Sequence, residues 1–330
     1  MHKDALLCVQ GLTIVFSGEH GRAEVVRKVS FDLQAGETLG LVGESGCGKS
    51  TTVLASLGLL PPGGRVVEGS VFYGGRDLLS VPASVLRQVR GRKIGMIFQD
   101  SMTSLNPVLT VERQISEMIE RHLGIRGRPA RRRVVELLEE VGIPEPEQRS
   151  KQFPHQLSGG LRQRVAIAIA LAANPDVLFA DEPTTALDVT VQAQLLDLLS
   201  REQKQRQMAL LLITHDLGVV AGVTDRVAVM YAGRIVEEGP TEAVFANPRH
   251  PYTLGLLRSA PRVDREIAER LPFIPGAPPA MWAIPPGCPF RPRCAFALDK
   301  CVAHDPKLGP TDNEAHRAAC WADIRVPLRP

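Results

Sequence analysis

The octapeptide GESGCGKS, Gly43 to Ser50, constrains this chain more than any other feature. It follows the compact apolar run TLGLV and leads into STTVLASLGLL, an apolar, helix-forming stretch stopped by Pro61-Pro62-Gly63-Gly64. The pattern G-x-x-x-x-G-K-[ST] between a strand and a helix needs a backbone that curls until successive N–H groups point inward. Glycine permits that curl, and the following helix N-terminus reinforces its positive potential. Such a concavity binds phosphate oxygens. Gly43, Glu44, Ser45, Gly46, Cys47, Gly48, Lys49, Ser50 and Thr51 are the expected cradle. Lys49 would reach the β- and γ-phosphates and Ser50 would offer a hydroxyl to Mg²⁺.

The remaining hydrophobic pattern supplies layers around that loop. Residues 25 to 42 read as short strands, and GSVFYGG and KIGMIFQ as further β-like stretches. From about Val111 to Gly142 the period turns helical. Val134, Leu137, Leu138 and Val141 share one face of RRRVVELLEEVG, closed by Gly142 and Pro144. Leu157 to Ala173 predicts a helix broken at Asn174-Pro175, DVLFA an apolar strand, and Thr190 to Gln205 another helix. ALLLIT predicts a buried strand, and RVAVMYAGRIVEEG a hairpin turning at Ala232-Gly233. Strands alternating with helices specify an α/β layered sheet. Past Pro240 the composition changes: 16 of 26 prolines lie between Pro240 and Pro330, and four of six cysteines in the last 43 residues. That shift predicts two parts, 1–240 and 241–330.

With 44% hydrophobic and 23% charged residues over 330 positions, the chain has material for a large core, and disorder is excluded as its main state. Its 39 Lys+Arg against 36 Asp+Glu leave a net +3, too balanced for a protein that coats nucleic acid by charge alone. The opening MHKDALLCVQ lacks the apolar length of a signal-peptide core. The uncharged stretch Leu271 to Phe290 holds seven prolines, which a membrane-crossing helix does not tolerate. The expectation is a cytosolic chain that sits beside a membrane wherever a membrane is involved.

Two further motifs carry chemistry. DVLFADEP, Asp176 to Pro183, ends an apolar strand in two adjacent carboxylates. Successive strand residues face opposite sides, so Asp181 and Glu182 are expected to divide the work, Asp181 on the metal and Glu182 as the base that polarises water. LSGGLRQR, Leu157 to Arg164, opens an apolar helix, and Ser158, Gly159 and Gly160 form a cap followed by free N–H groups, a second anion site. Taken alone, either motif reads as an ordinary strand end or an ordinary N-cap.

Together they have a recognisable order. The P-loop, Gln99, LSGG, the strand with Asp181-Glu182, Ala186-Leu187-Asp188 and His215 resemble the ATP-binding-cassette ATPases over roughly residues 6 to 240. The resemblance implies a P-loop NTPase fold of the α/β class. Its parts are a RecA-like core sheet, an antiparallel β subdomain and a helical subdomain at about 105–165, followed here by a Pro/Cys-rich irregular extension. It implies two cassettes paired head to tail, with Ser158, Gly159 and Gly160 of one acting on the triphosphate of the other. It also implies roles for single residues. Gln99 would join Ser50 and Asp181 around Mg²⁺ and link the site to a membrane partner. His215 would contact the γ-phosphate, Asp188 would lie at the dimer seam, and Phe16 would stack on the adenine. Away from this company, a lone His after an apolar strand and an aromatic at a strand end are structural. Many members carry Gln after LSGG, where this chain has Leu161.

FQDSMTSLNP (Phe98 to Pro107), ADEPTTALDVTVQAQ (Ala180 to Gln194) and NPRHPYT (Asn247 to Thr253) resemble the oligopeptide, dipeptide and nickel importer ATPases of prokaryotes. Relatives often have Pro where this chain has Ser101. The implied partners are two transmembrane permease subunits, a second cassette subunit and, through the permeases, an extracytoplasmic peptide-binding protein. The implied location is peripheral, on the cytoplasmic face of the plasma membrane. Nickel or another small solute is the alternative cargo. The rival class is a soluble cassette acting on nucleic acid, against which the near-neutral charge counts. The tail cysteines, Cys288, Cys294, Cys301 and Cys320, are separated by five, six and eighteen residues without a C-x-x-C pair, a poor match to a zinc ribbon. Stable disulfides do not suit a reducing cytosol, whereas four thiolates can hold a [4Fe–4S] cluster, as relatives in this group do. Zinc and unligated thiols remain alternatives. The tail has few apolar residues, so the metal is expected to pin it. Cys8 and Cys47 read as small packing residues.

Overall fold

A twelve-residue strand, β1 (Leu7–Gly18), begins the chain in a computed structural model that describes residues 5–18, 21–99, 104–185, 187–259 and 273–324. In chain order there follow β2 (Gly21–Leu33), β3 (Thr38–Val42), α1 (Lys49–Ser56), β4 (Gly64–Tyr73), β5 (Arg76–Asp77), α2 (Ala83–Val89) and β6 (Ile94–Ile97). Next come α3 (Val111–Leu123), α4 (Arg128–Glu140), α5 (Pro146–Arg149), α6 (Gly159–Leu171), β7 (Val177–Asp181), α7 (Val189–Arg206) and β8 (Ala209–Thr214). The last elements are α8 (Leu217–Ala221), β9 (Arg226–Tyr231), β10 (Arg234–Pro240), α9 (Thr241–Ala246), α10 (Pro251–Ser259), β11 (Gly309–Pro310) and β12 (Arg317–Ala318). Ser101 and Ala186 lie outside the described residues.

Two compact units share the chain. The first comprises 1–33, 38–80 and 212–330. In it β1 runs antiparallel to both β2 and β4, in the order β2-β1-β4-β5. β3 runs parallel to β9, with Leu39 opposite Arg226 and Val42 opposite Val229. All five residues of β3 are buried, as a parallel strand covered on both faces requires. β9 and β10 form the expected hairpin. Ala232 at φ 45° and Gly233 at φ 80° are its two turn residues, the pair of left-handed positions that a type I′ turn demands.

The second unit comprises 34–37 and 81–211. In it β6 lies parallel to β7, with Ile94 opposite Val177 and Ile97 opposite Ala180. Val134, Leu137, Leu138 and Val141 are all buried, as their helical spacing predicts. Arg133 donates to Glu140 at 2.7 Å, and Arg206 near the end of α7 bonds the same carboxylate and that of Glu202.

The described residues of 212–330 fall in one compact unit with the P-loop half, and the tail extends that unit's sheet. β12 pairs antiparallel with β10, Glu237 opposite Ala318, and Ala319 N donates to Val236 O at 2.8 Å. The tail's few apolar residues suffice because they join an existing core. Phe290, Cys288 and Cys301 bury against Val236, Val244, Tyr231 and Tyr252. Phe290 meets the Tyr231 ring edge-on at 5.2 Å and the Tyr252 ring at 5.5 Å, geometry that aromatic quadrupoles favour. Phe290→Ala is expected to destabilise this unit by about 3–5 kcal/mol, read as a lowered midpoint in denaturant unfolding followed by tyrosine fluorescence.

Candidate active site

β3 delivers the chain into the P-loop at Gly43. A Cβ there would collide with the Met230 carbonyl oxygen on β9, so the strand can bend into the loop only as glycine. Gly48, at φ 106°, is also crowded, since a Cβ there would sit 2.7 Å from the Val25 carbonyl oxygen. The loop is braced by the β9–β10 turn, where Gly233 N donates to Cys47 O at 3.0 Å while Arg27 N donates to Gly233 O at 2.8 Å. Thr52 N bonds Gly48 O at 2.9 Å and sets α1 going, with Ser50 and Thr51 half-buried in its first turn. Lys49 is buried inside the curl. Its Nζ donates to Gly43 O at 2.7 Å and Glu44 O at 3.2 Å, which places a positive charge within the loop. Burial pushes the Cys47 thiol up, against the pull of Lys49, so it stays neutral and adds no negative charge to an anion-binding loop.

Phe16, on the same unit, is half-buried near the end of β1. Its ring lies over Gly64, its partner on β4, where any Cβ would strike the ring. His215 follows β8 and is exposed. The next residue, Asp216, caps α8 by accepting from Gly218 N at 2.8 Å.

The second unit brings together Gln99, Glu182 and Thr185. Gln99 Nε2 donates to Glu182 Oε2 at 3.1 Å and Thr185 Oγ1 donates to the same oxygen at 3.0 Å. Asp181 is buried at the last position of β7, and Glu182 is buried just beyond it. Strand alternation does not separate the two carboxylates as expected. The strand ends at Asp181, and Glu182 takes φ 46°, so a left-handed residue re-aims its side chain. Ser158 is the N-cap of α6, Oγ accepting from Leu161 N at 3.4 Å, and Asp188 is the N-cap of α7, Oδ1 accepting from Val191 N at 3.0 Å. Ser158, Gly159 and Asp188 are exposed, and Gly160 packs beside Val191.

Sequence reasoning missed the tail residues at the P-loop. Tyr252 Oη accepts from Glu44 N at 2.8 Å, and Arg293 grips the Glu44 carboxylate with both terminal nitrogens, at 2.7 and 2.9 Å. Tyr252 was visible only as part of HPYT, and Arg293 only as a neighbour of Cys294. His250, in the same motif, is buried and held near a pKa of about 3 by that burial. Neutral, its Nδ1 accepts from Tyr252 N at 3.1 Å. All four tail cysteines are free thiols, Cys288 and Cys301 buried, Cys294 and Cys320 half-buried. Burial pushes the Cys320 thiol up to about 11, with Cys294, Cys288 and Cys301 adding to the rise. Among the described residues no group of three or more His, Cys, Asp or Glu is gathered closely enough for a single metal ion.

Residues 26–185 match the ABC transporter family, and residues 236–301 match the family described as oligopeptide/dipeptide transporter, C-terminal region. The dipeptide transport ATP-binding protein DppD of Bacillus subtilis is 49% identical over 320 residues, 96% of this chain and 95% of that one. The chain belongs to the ATP-binding-cassette transporter family. The oligopeptide transport ATP-binding protein OppD of Bacillus subtilis is 50% identical over 317 residues, 96% of this chain and 88% of that one. Among solved structures, the cassette MJ0796 in a dimeric post-hydrolysis state bound to ADP and Pi is similar at a TM-score of 0.65 and 27% identity. The match covers 71% of this chain and 98% of that one. This cassette is an ATP-hydrolysing subunit of the family, with its P-loop NTPase fold, and among the described residues no helix is long and apolar enough to cross a membrane. Gly43→Ala is expected to abolish MgATP binding, measured by displacement of a fluorescent ATP analogue. Gly46→Ala, whose Cβ meets nothing within 4 Å, should weaken it less, through the strain of an alanine at φ 79° alone.

Proposed function

We propose that this cassette powers the import of peptides, docked on two membrane-spanning permease subunits at the cytoplasmic face and paired with a second cassette. The observation that carries this reading is the match of residues 236–301 to the oligopeptide/dipeptide transporter C-terminal region, in a chain aligned almost end to end with the dipeptide and oligopeptide relatives. An extracytoplasmic binding protein would deliver the peptide to the permeases.

Within the site, the loop amides beyond Glu44 and the Lys49 ammonium would hold the triphosphate, where charge-assisted hydrogen bonds are strongest. Glu182 would accept the proton of the attacking water. Gln99 and Thr185 support that role, because both donate to one oxygen and leave the carboxylate oriented. For Mg²⁺ the chain offers oxygen donors alone, the Ser50 hydroxyl in the first unit and the Gln99 amide and Asp181 carboxylate in the second, the hard set that this ion takes. His215 would meet the γ-phosphate and Phe16 the adenine. The exposed Ser158 and Gly159 of one cassette, with Gly160, would close on the nucleotide of its partner, with Asp188 at the seam. Glu182→Gln should leave ATP binding intact and lower turnover by roughly 10²–10⁴. The check is phosphate release at saturating ATP, and wild-type turnover would remove Glu182 from this role.

Cys288, Cys294, Cys301 and Cys320 would be the ligands of a [4Fe–4S] cluster, with zinc as the alternative; among the described residues no group of three or more His, Cys, Asp or Glu is gathered for a metal ion. A cluster, when bound, would tie four irregular turns to one another. Replacing Cys294 with Ser is expected to lower iron and acid-labile sulfide per chain. Stoichiometric zinc without iron in the wild type would overturn the assignment.

A further inference from the structure

Every polar group of Glu44 is occupied from within the first unit. Its carbonyl accepts from Cys47 N at 3.3 Å and from Lys49 Nζ at 3.2 Å, bonds internal to the loop. Its N–H and its carboxylate are held from outside by residues more than two hundred positions away, Tyr252 and Arg293. We propose that Tyr252 and Arg293 are positioning residues of the nucleotide site, clamping Glu44 so that the loop amides stay in their phosphate-binding curl. The proposal rests on the reading of Gly43 to Thr51 as the ATP cradle.

The clamp is built rather than incidental. The Arg293 side chain is only 4% exposed, and its fork matches the carboxylate with two parallel bonds. Its remaining donor, Nε, bonds Pro275 O at 3.0 Å, and its guanidinium lies 5.8 Å from the Tyr231 ring and 5.9 Å from the Phe290 ring. Every direction in which it could swing away is filled. Tyr252 is fully buried, its ring 4.7 Å from Tyr231, so its hydroxyl has one place to be. The loop it meets contains Gly43, Gly46 and Gly48, residues with the largest conformational freedom to lose. Anchoring such a loop before ligand arrives removes an ordering cost from binding. It acts on binding and not on the chemical step, because both anchors bond the loop that holds the nucleotide. The signature is therefore a raised KM for ATP at unchanged kcat.

The test uses the full chain for nucleotide affinity and the assembled transporter for KM and kcat. Arg293→Met and Glu44→Gln are each expected to weaken MgATP binding about tenfold, and the double variant also about tenfold, since partners of one ion pair are not additive. Arg293→Lys should recover part of the loss. Tyr252→Phe removes only the acceptor of one bond and keeps the buried ring, so it preserves the fold and should still weaken ATP several-fold. Unchanged affinity in both Tyr252→Phe and Glu44→Gln, multiplication of the two single effects to about a hundredfold, or a loss confined to kcat would each overturn the proposal. Lys49→Ala separates the two readings. If it leaves ATP affinity intact, the cradle itself is misread; if it abolishes binding while the clamp variants do not, only the clamp fails.

Discussion

At Gly43 the backbone passes so close to the Met230 carbonyl that no side chain fits, and at Gly48 it passes Val25 in the same way. This double approach fixes the P-loop against the β2 and β9 strands, and the rest of the first unit is arranged around it. The β9–β10 turn reaches the loop through Gly233 and Cys47, and reaches β2 through Arg27. The turn can do so because Ala232 and Gly233 both adopt positive φ, which reverses the chain in two residues. A burial-neutralised Cys47 and a buried Lys49 then leave the concavity with net positive character. Phosphate affinity follows from that packing.

The tail illustrates how a segment poor in apolar residues becomes ordered. It contributes Val244, Tyr252, Phe290 and two cysteines to a cluster whose other members belong to β3, α8, β9, β10 and the β9–β10 turn. It also contributes two short strands to the β10 edge, and matches a buried carboxylate from three sides. Glu237 is fully buried yet accepts from Arg249 N at 2.6 Å and His250 N at 3.0 Å, with the His316 ring 2.7 Å from the same carboxylate. Arg293 is tolerated inside because its charge meets Glu44 bidentately. A buried charge without such a partner would cost several kcal/mol, on the order of 3–5.

In the second unit the tension sits at Glu182. A non-glycine residue at φ 46° carries strain on the order of 1–3 kcal/mol, and such strain persists only where neighbours over-determine it. Gln99 and Thr185 supply that determination from two separate segments. Ser158 and Asp188 serve locally as helix caps while remaining exposed, so the same side chains that start α6 and α7 are presented at the surface. Local folding and a surface role use one set of atoms.

Much of this was legible in one dimension. GESGCGKS between a strand and a helix, the four apolar positions on α4, the Ala232-Gly233 hairpin and the cap at Ser158 are patterns whose cause lies within a few residues, in backbone sterics and side-chain period. Those patterns determined the fold class and the placing of the P-loop between β3 and α1. The left-handed turn at Glu182 was not legible, because strand alternation carries no sign of where a strand stops. The placement of the tail was not legible either. Glu44 meets Tyr252 and Arg293 across 208 and 249 positions of sequence, and no local propensity encodes such a pairing. Only the tertiary structure, which closes those long loops around a shared apolar cluster, decided that the Pro- and Cys-rich tail would grip the P-loop.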